Sequence, residues 1–257
     1  MTPSSLPSPS ASPNASDMDD NMQRIFISGC SRGIGLALTE HYLASGRNVI
    51  GCSRTPTELS VDVQDGRFQH HFVDITDERA VGAMMSTIRR SVGGFGTLIN
   101  NAGASSAQVG MLAKAESLER VLATNVVGNF IVTRDSLRMM RAAGFGRVIN
   151  ISSIAVPLEE TGNSFYAASK SALTRITHQM ARELKGANIT VNTVGVSFFE
   201  EGSMFTELGQ GAVERYRRRL VDPSPISIAE LAYAIDFFAG DETGRITGQT
   251  IYFGGPV

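Results

Sequence analysis

Tyr166 and Lys170, in "FYAASKSAL", lie four residues apart, so on a helix their side chains stack one turn apart on one face. An ammonium beside a phenol favours the phenolate, which predicts a Tyr166 pKa drawn down from about 10 towards neutrality and a role as general acid or base. An ordinary amphipathic helix surface produces the same spacing, so the pair needs support from its surroundings. A strand-like run, "INISSIA", precedes it and ends in Ser152 and Ser153, the second of them thirteen residues before Tyr166. "LINNAG", Leu98 to Gly103, closes another apolar run with small and amide residues, where the carboxyl edge of a parallel sheet meets a ligand. "LATNVVG" sets Asn125 within a helix expected to pack on that sheet.

A second chemistry is written near the start. "SGCSRGIG", Ser28 to Gly35, follows the apolar run "RIFI" and precedes a helical pattern. Backbone N–H groups at a tight strand-to-helix turn, together with the positive helix end, suit a pyrophosphate. Gly29, Gly33 and Gly35 would permit the turn, close phosphate approach and close helix packing, although such a turn also arises for purely steric reasons. The spacing is G-x-x-x-G-x-G rather than the commoner G-x-G-x-x-G. An NAD site carries an acid about 20 residues further on for the ribose 2′-hydroxyl. Here that region reads Gly51-Cys52-Ser53-Arg54. Arg54 and Arg32 converging on one ribose predict a 2′-phosphate, hence NADP(H) rather than NAD(H); two solvated surface arginines are the alternative.

The elements that must position these groups alternate along the chain. Strand-like "RIFIS", "NVIGC", "FQHHFVD", "GTLIN", "GRVINIS", "NITVNTV" and "QTIYF" are interleaved with helical patterns over 33–46, 77–92, about 115–142, 164–186 and, mostly helical, 204–240. Short, nearly all-apolar strands between amphipathic helices predict an α/β fold with a parallel sheet covered on both faces. No internal break is long enough for a domain linker. Residues 1–22, rich in Pro and Ser, predict a disordered tail ahead of one domain over 23–257.

Composition narrows the function. With 257 residues, 42 % hydrophobic content and a net charge of −2, the chain can bury a good core and carries no global positive field for nucleic acid or an anionic membrane. Cys30 and Cys52 have no metal-ligand spacing, and neither do His41, His70, His71 and His178, so no metal site is expected. If "FQHHFVD" is a strand, His70 and His71 point to opposite faces. No run resembles a secretory signal or a membrane span, which predicts a cytoplasmic location and no membrane partner.

Taken together, Ser28-Gly29-x-x-x-Gly33-x-Gly35, Asn100-Asn101-Ala102-Gly103, Ser153 and Tyr166-x-x-x-Lys170, in that order, make the sequence from about 24 to 255 resemble the short-chain dehydrogenase/reductase family. Within it, "SRGIG", "NNAG", "NISSIA" and "YAASK" are most similar to the 3-oxoacyl-(acyl carrier protein) reductase branch, although reductases of many ketones share them. The resemblance implies a single Rossmann-like doubly wound domain with a seven-stranded parallel sheet, and a homo-oligomer, tetramer or dimer, with the 164–186 helices at its interface. It implies Tyr166 as acid/base, Ser153 orienting and polarising the carbonyl, Lys170 holding the nicotinamide ribose, and Asn125 supporting a water-linked proton relay through Lys170. Gly29, Ser31, Arg32, Gly33, Ile34, Gly35 and Arg54 would bind the cofactor. Asp74 and Ile75 would take the adenine, Asn101, Ala102 and Gly103 would line the adenosine side, and Phe199 would stand where a backbone amide meets the carboxamide. The reaction so implied is NADPH-dependent reduction of a small-molecule or carrier-bound ketone, such as a 3-oxoacyl thioester or a polyketide-type ketone. An NADP-dependent alcohol dehydrogenase acting on a sugar, steroid or cyclic alcohol is one alternative, and a cofactor-sensing or scaffold protein without turnover is another.

The family pattern fails after the sixth strand. Val196-Ser197 replaces Pro-Gly, and Glu201 stands at the position of a threonine that contacts the carboxamide; Ser197 or Ser203 is a candidate for the missing hydroxyl. Ser28 replaces the usual first-motif threonine, and Gly255-Pro256 a common Gly-Gly. A substrate lid is expected over about 195–224, and its Phe198, Phe199, Met204, Phe205 and Leu208 suit an acyl chain or an aromatic ring. Glu159 and Glu160 read as a solvated loop near the pocket entrance. The four arginines of "ERYRRRL" read equally as a dock for an acidic carrier or as a wet helix face.

Overall fold

The computed structural model describes residues 23–61, 66–199 and 210–256. The expected tail over 1–22, and Glu201, Ser203, Met204, Phe205 and Leu208 of the expected lid, lie outside the described residues. Among the described residues there are seven strands: β1 (Ile25–Ser28), β2 (Val49–Ser53), β3 (Phe68–Phe72), β4 (Thr97–Asn100), β5 (Gly146–Ser153), β6 (Ile189–Val196) and β7 (Thr250–Tyr252). All pair in parallel, in the order β3-β2-β1-β4-β5-β6-β7. The strand order therefore reverses between β1 and β4, and a crevice opens beyond their carboxyl ends.

The helices are α1 (Gly33–Ala44), α2 (Glu78–Val92), α3 (Ala115–Leu122), α4 (Asn129–Ala143), α5 (Ala155–Leu158), α6 (Ser164–Glu183), α7 (Gln210–Arg217) and α8 (Ile228–Ala239). They cover both faces of the sheet, as the uninterrupted apolar strands demand. Side chains of β1 alternate: Ile25 and Ile27 join Leu38, Tyr42, Ile235 and Phe238 in one core, whereas Phe26 joins Val81, Ile88, Leu98 and Val132 in the other.

Two helical expectations hold with added detail. The stretch over 115–142 is divided by a wider π turn, Ala123–Gly128, between α3 and α4. Gly128 presses there on Ile75, and a Cβ would approach its Cγ1 to 2.7 Å. The segment expected to be mostly helical over 204–240 contains α7 and α8, separated by a loop with Pro223 and Pro225. Ser227 then starts α8 with a reciprocal capping box to Glu230.

Buried polar groups link the strands below the crevice. Asn100, Asn150 and Thr193 are in register on β4, β5 and β6. Asn100 Nδ2 donates to Asn150 Oδ1 (2.7 Å) and to Thr133 Oγ1 (2.6 Å), and Asn150 Nδ2 donates to Thr177 Oγ1 (2.7 Å). At the opposite end of β5, Arg147 is 1 % exposed. Its guanidinium donates to the carbonyls of Gly146 and Asn188, lies 4.2 Å from the Phe145 ring centre and approaches Asp241 to 3.6 Å. Among the described residues no helix is long and apolar enough to cross a membrane, and no cluster of three His, Cys, Asp or Glu side chains could hold a metal.

Candidate active site

A cavity of about 430 Å³ occupies the crevice, within the range of cofactor and small-molecule sites. Its walls come from five places in the sequence. The turn after β1 supplies Gly29, Ser31, Arg32, Gly33 and Ile34, and the end of β2 supplies Cys52, Ser53, Arg54 and Thr55. Val73, Asp74 and Ile75 follow β3, and Asn101, Ala102, Gly103, Ala104 and Ser105 follow β4. The inner end is formed by Ile151, Ser152, Tyr166, Lys170, Val196, Ser197 and Phe199, with Thr124 beside them. Gly35, Asn125 and Ser153 stand directly behind this wall.

The three glycines differ in what the backbone asks of them. Gly29 and Gly33 have φ of +71° and +53°, the left-handed region that glycine tolerates, whereas Gly35 is a packing position. A Cβ at Gly35 would collide with the Gly29 carbonyl and the Asn101 amide. Helix α1 begins with no side-chain cap and no acid in its first turn, so its N–H groups are left for the cavity. By contrast, Asp77 caps α2 by accepting from the N–H groups of Arg79 and Ala80. Ser28 keeps the function of its hydroxyl, which accepts from the backbone N–H groups of Asn101 and Ala102 at 3.1 Å each. Asn101 Nδ2 donates back to the carbonyls of Ser28 and Gly29, closing the sheet at its point of reversal.

At the inner end, Tyr166 is 4 % and Lys170 3 % exposed. Helix α6 puts both on the face towards β5, and Lys170 Nζ donates to the Ile151 carbonyl at 2.8 Å. Ser153 accepts from the Ala155 N–H and hydrogen-bonds the Tyr166 phenol. The expected lowering of the Tyr166 pKa is corrected: burial raises it, Ser153 opposes that, and the nearby Tyr216 phenol adds to it. The lysine does not offset this because its Nζ lies 5.8 Å from the ring centre, turned to a carbonyl, and burial pulls its own pKa down to about 8. A phenol so held is protonated at neutral pH. Asn125 spends its side chain on the loop after β4, accepting from the Ala104 N–H (2.7 Å) and donating to the Ala104 carbonyl and Ser169 Oγ (2.9 Å each). Asn129, which the sequence reading passed over, donates to the Ala102 carbonyl at 3.0 Å.

At the outer end Arg54 is exposed and approaches Asp74 to 3.8 Å. Burial works against the Asp74 charge, but the backbone N–H and hydroxyl of Thr76 and the Arg54 charge outweigh it and hold the carboxyl below its usual range. The cavity fits a dinucleotide on its own chemistry. Its walls hold two buried hydroxyls, Ser152 Oγ and Ser197 Oγ, with no hydrogen-bond partner, an uncapped helix N-terminus and two arginines. Phe199 is buried, lines the cavity and pairs with Ile226 in an isolated parallel bridge.

One surface reading changes. Glu160 is not solvated: its side chain is 9 % exposed and meets Arg215 (3.3 Å) and Arg219 (3.5 Å). Glu159 is exposed and left-handed, with φ of +48°. The arginines at the end of α7 and just after it are engaged within the chain, Arg217 lying over Phe198 and Arg218 pairing with Glu214, while Arg219 also donates to the Leu158 carbonyl. Between them Tyr216 is buried, and its hydroxyl accepts from Asn163 Nδ2 at 2.9 Å, at the start of α6. No local pattern in the sequence pointed to Asn163 or Tyr216.

This fold and cavity define a dinucleotide-binding α/β protein of the doubly wound class. The family model described as short chain dehydrogenase matches residues 23–212, and the chain belongs to that family of oxidoreductases, which interconvert alcohols and carbonyls. The chain is 30 % identical over 240 residues to the 3-oxoacyl-[acyl-carrier-protein] reductase of Vibrio cholerae serotype O1, covering 89 % of this chain and 94 % of that one. Among solved structures it is similar to 4-hydroxyisoleucine dehydrogenase complexed with NADH, with a TM-score of 0.78 at 22 % identity, over 91 % of this chain and 97 % of that one. It is also similar to ElxO with NADP bound, with a TM-score of 0.79 at 22 % identity, over 90 % of this chain and 96 % of that one.

Proposed function

We propose that the protein is an NADPH-dependent carbonyl reductase, acting on a ketone of the 3-oxoacyl thioester type, free or carrier-bound. The observation that carries this reading is the meeting of Ser153, a protonated Tyr166 and Lys170 at one end of a cavity whose other end holds Arg32 and Arg54. The name of the Vibrio relative supports the substrate class. When bound, the nicotinamide supplies the hydride that reduces the carbonyl carbon. Tyr166 gives its phenolic proton to the carbonyl oxygen, and Ser153 donates a hydrogen bond to that oxygen as negative charge develops on it. Lys170, held by the Ile151 carbonyl, binds the nicotinamide ribose and returns a proton to Tyr166. Asn125 holds the Ala104 backbone, next to Gly103, where a Cβ would lie 3.6 Å from Lys170 Nζ, and supports the water-linked route for that proton.

In the same reading Gly29, Ser31, Gly33 and Ile34 cradle the pyrophosphate with Gly35 packed beneath, Asp74 and Ile75 take the adenine, and Asn101 to Gly103 line the adenosine. Phe199 and the Ser197 hydroxyl face the nicotinamide, the latter in the role that Glu201 cannot fill. Residues 23–257 act as one unit, with 195–224 as the substrate lid. The test is NADPH absorbance on mixing the protein with an acetoacetyl thioester and a panel of aromatic and cyclic ketones. Tyr166-dependent oxidation is expected; oxidation that survives Tyr166→Phe would sink the assignment.

A further inference from the structure

Ser53, the last residue of β2 and paired there with Phe72, leads into Arg54 and Thr55 beyond the strand, and all three line the cavity wall. It is held by a hydrogen-bonded cluster. The Ser53 hydroxyl donates to the Thr55 carbonyl at 2.6 Å, which commits its one proton. The 2.7 Å contact between Ser53 Oγ and His70 Nε2 then has one polarity: the imidazole N–H donates. Thr57 Oγ1 lies 3.4 Å from the same nitrogen and 3.4 Å from Cys30 Sγ, and the Cys30 thiol reaches Ser53 Oγ at 3.9 Å. Burial raises the pKa of that thiol, in keeping with its role as donor. Ser31 Oγ and Thr55 Oγ1 are 3.0 Å apart, which ties the segment to the glycine turn beside Arg32.

Strand β3 aims the histidine. Phe68, His70 and Phe72 share one face, the His70 ring centre lying 5.9 Å from the first ring and 4.5 Å from the second. The residue paired with His70 is Gly51, where a Cβ would press on Cys30 Sγ and come within 3.0 Å of the Phe68 ring. The glycine clears the space across which His70 reaches Ser53.

We propose that His70 is a positioning residue for the phosphate end of the cavity. Through Ser53 it fixes residues 53–55, and so sets the Arg54 guanidinium and Thr55 hydroxyl against Arg32 and Ser31 around a ribose 2′-phosphate. His70 itself does not line the cavity, so its action runs through Ser53. The restraint matters because Arg54 is exposed and has a competing partner in Asp74. The proposal rests on the NADP(H) reading given above.

Fluorescence titration of the full chain with NADPH and with NADH tests it, using wild type, His70→Phe, Ser53→Ala and the double variant. Phenylalanine keeps a ring between Phe68 and Phe72 and removes the donor. Each single variant is expected to weaken NADPH binding about tenfold while NADH binding stays within about twofold, and the double variant should be no worse than either single one. Equal losses for the two cofactors, or losses that add in the double variant, overturn the proposal. Should His70→Phe fail to fold, His70→Leu, which also lacks a donor, replaces it, and Ser53→Ala by itself must still show the selective loss. A wild type that binds both cofactors equally overturns the NADP(H) reading together with this proposal. A selective wild type with indifferent variants overturns this proposal alone.

Discussion

Lys170 carries a buried ammonium whose pKa is drawn by burial from 10.5 to about 8, with one carbonyl as its partner. Below about pH 8 the group is charged in both the folded and the unfolded chain, and the folded state bears the full desolvation cost. Between about 8 and 10.5 the unfolded chain binds more protons, so stability rises with pH across that window. The expected gain, relative to Lys170→Met at the same pH, is about 3 kcal/mol, measured by denaturant unfolding of the cofactor-free protein. A flat difference between pH 7 and 11 would show that the lysine is better solvated than its burial suggests. Tyr166 shifts the other way and remains a phenol, the form needed to protonate a carbonyl oxygen. Tyr166→Phe is expected to lower kcat at least about 100-fold while leaving the NADPH Kd within about twofold. On the proposed reading, Arg54→Ala should weaken NADPH binding about tenfold and NADH binding little, since it would remove a guanidinium–phosphate pair.

Helices and strands hold these groups through backbone contacts that tolerate no extra atoms in some places and welcome them in others. Gly35→Ala would drive α1 from the Gly29 carbonyl, with an expected loss of at least about 2 kcal/mol and of cofactor binding. Gly82 lies mid-helix in α2, with nothing within 4 Å of an added Cβ, and Gly82→Ala should stabilise by about 0.5–1 kcal/mol. Thermal unfolding of the two variants side by side checks both signs. The glycine turn and the Tyr166–Lys170 pair were legible in the sequence because each is a local pattern with its own physical reason. Six of the strands were legible as largely apolar runs of the right length, and β3, Phe-Gln-His-His-Phe, from its place in the alternation of strands and helices. Asn150 with Thr177, Asn163 with Tyr216, and Glu160 with Arg215 were not, because each pairs groups that only the tertiary fold brings together. The pKa of Tyr166 was misjudged on the same account: i,i+4 spacing gives a shared helix face, but burial and the direction of the lysine decide the charge.

On the surface of the whole molecule, Val127 and Phe130 are exposed around the start of α4, and Tyr233 and Phe237 along α8. We expect the protein to self-associate, as the family resemblance implies, with light scattering giving a mass above one chain and Phe237→Glu lowering it. The hydroxyls of Ser152 and Ser197, buried without partners beside a buried ammonium, have a consequence outside chemistry. A ligand that satisfies them binds the folded chain and not the unfolded one, and cofactor at 100 times its Kd should add about 2.7 kcal/mol by mass action. A difference of that size alters how much of a population is unfolded and open to proteolysis at any moment. The amount of this protein that survives in a cell is therefore expected to follow the supply of its cofactor, so that starving the cell of the dinucleotide thins out the protein.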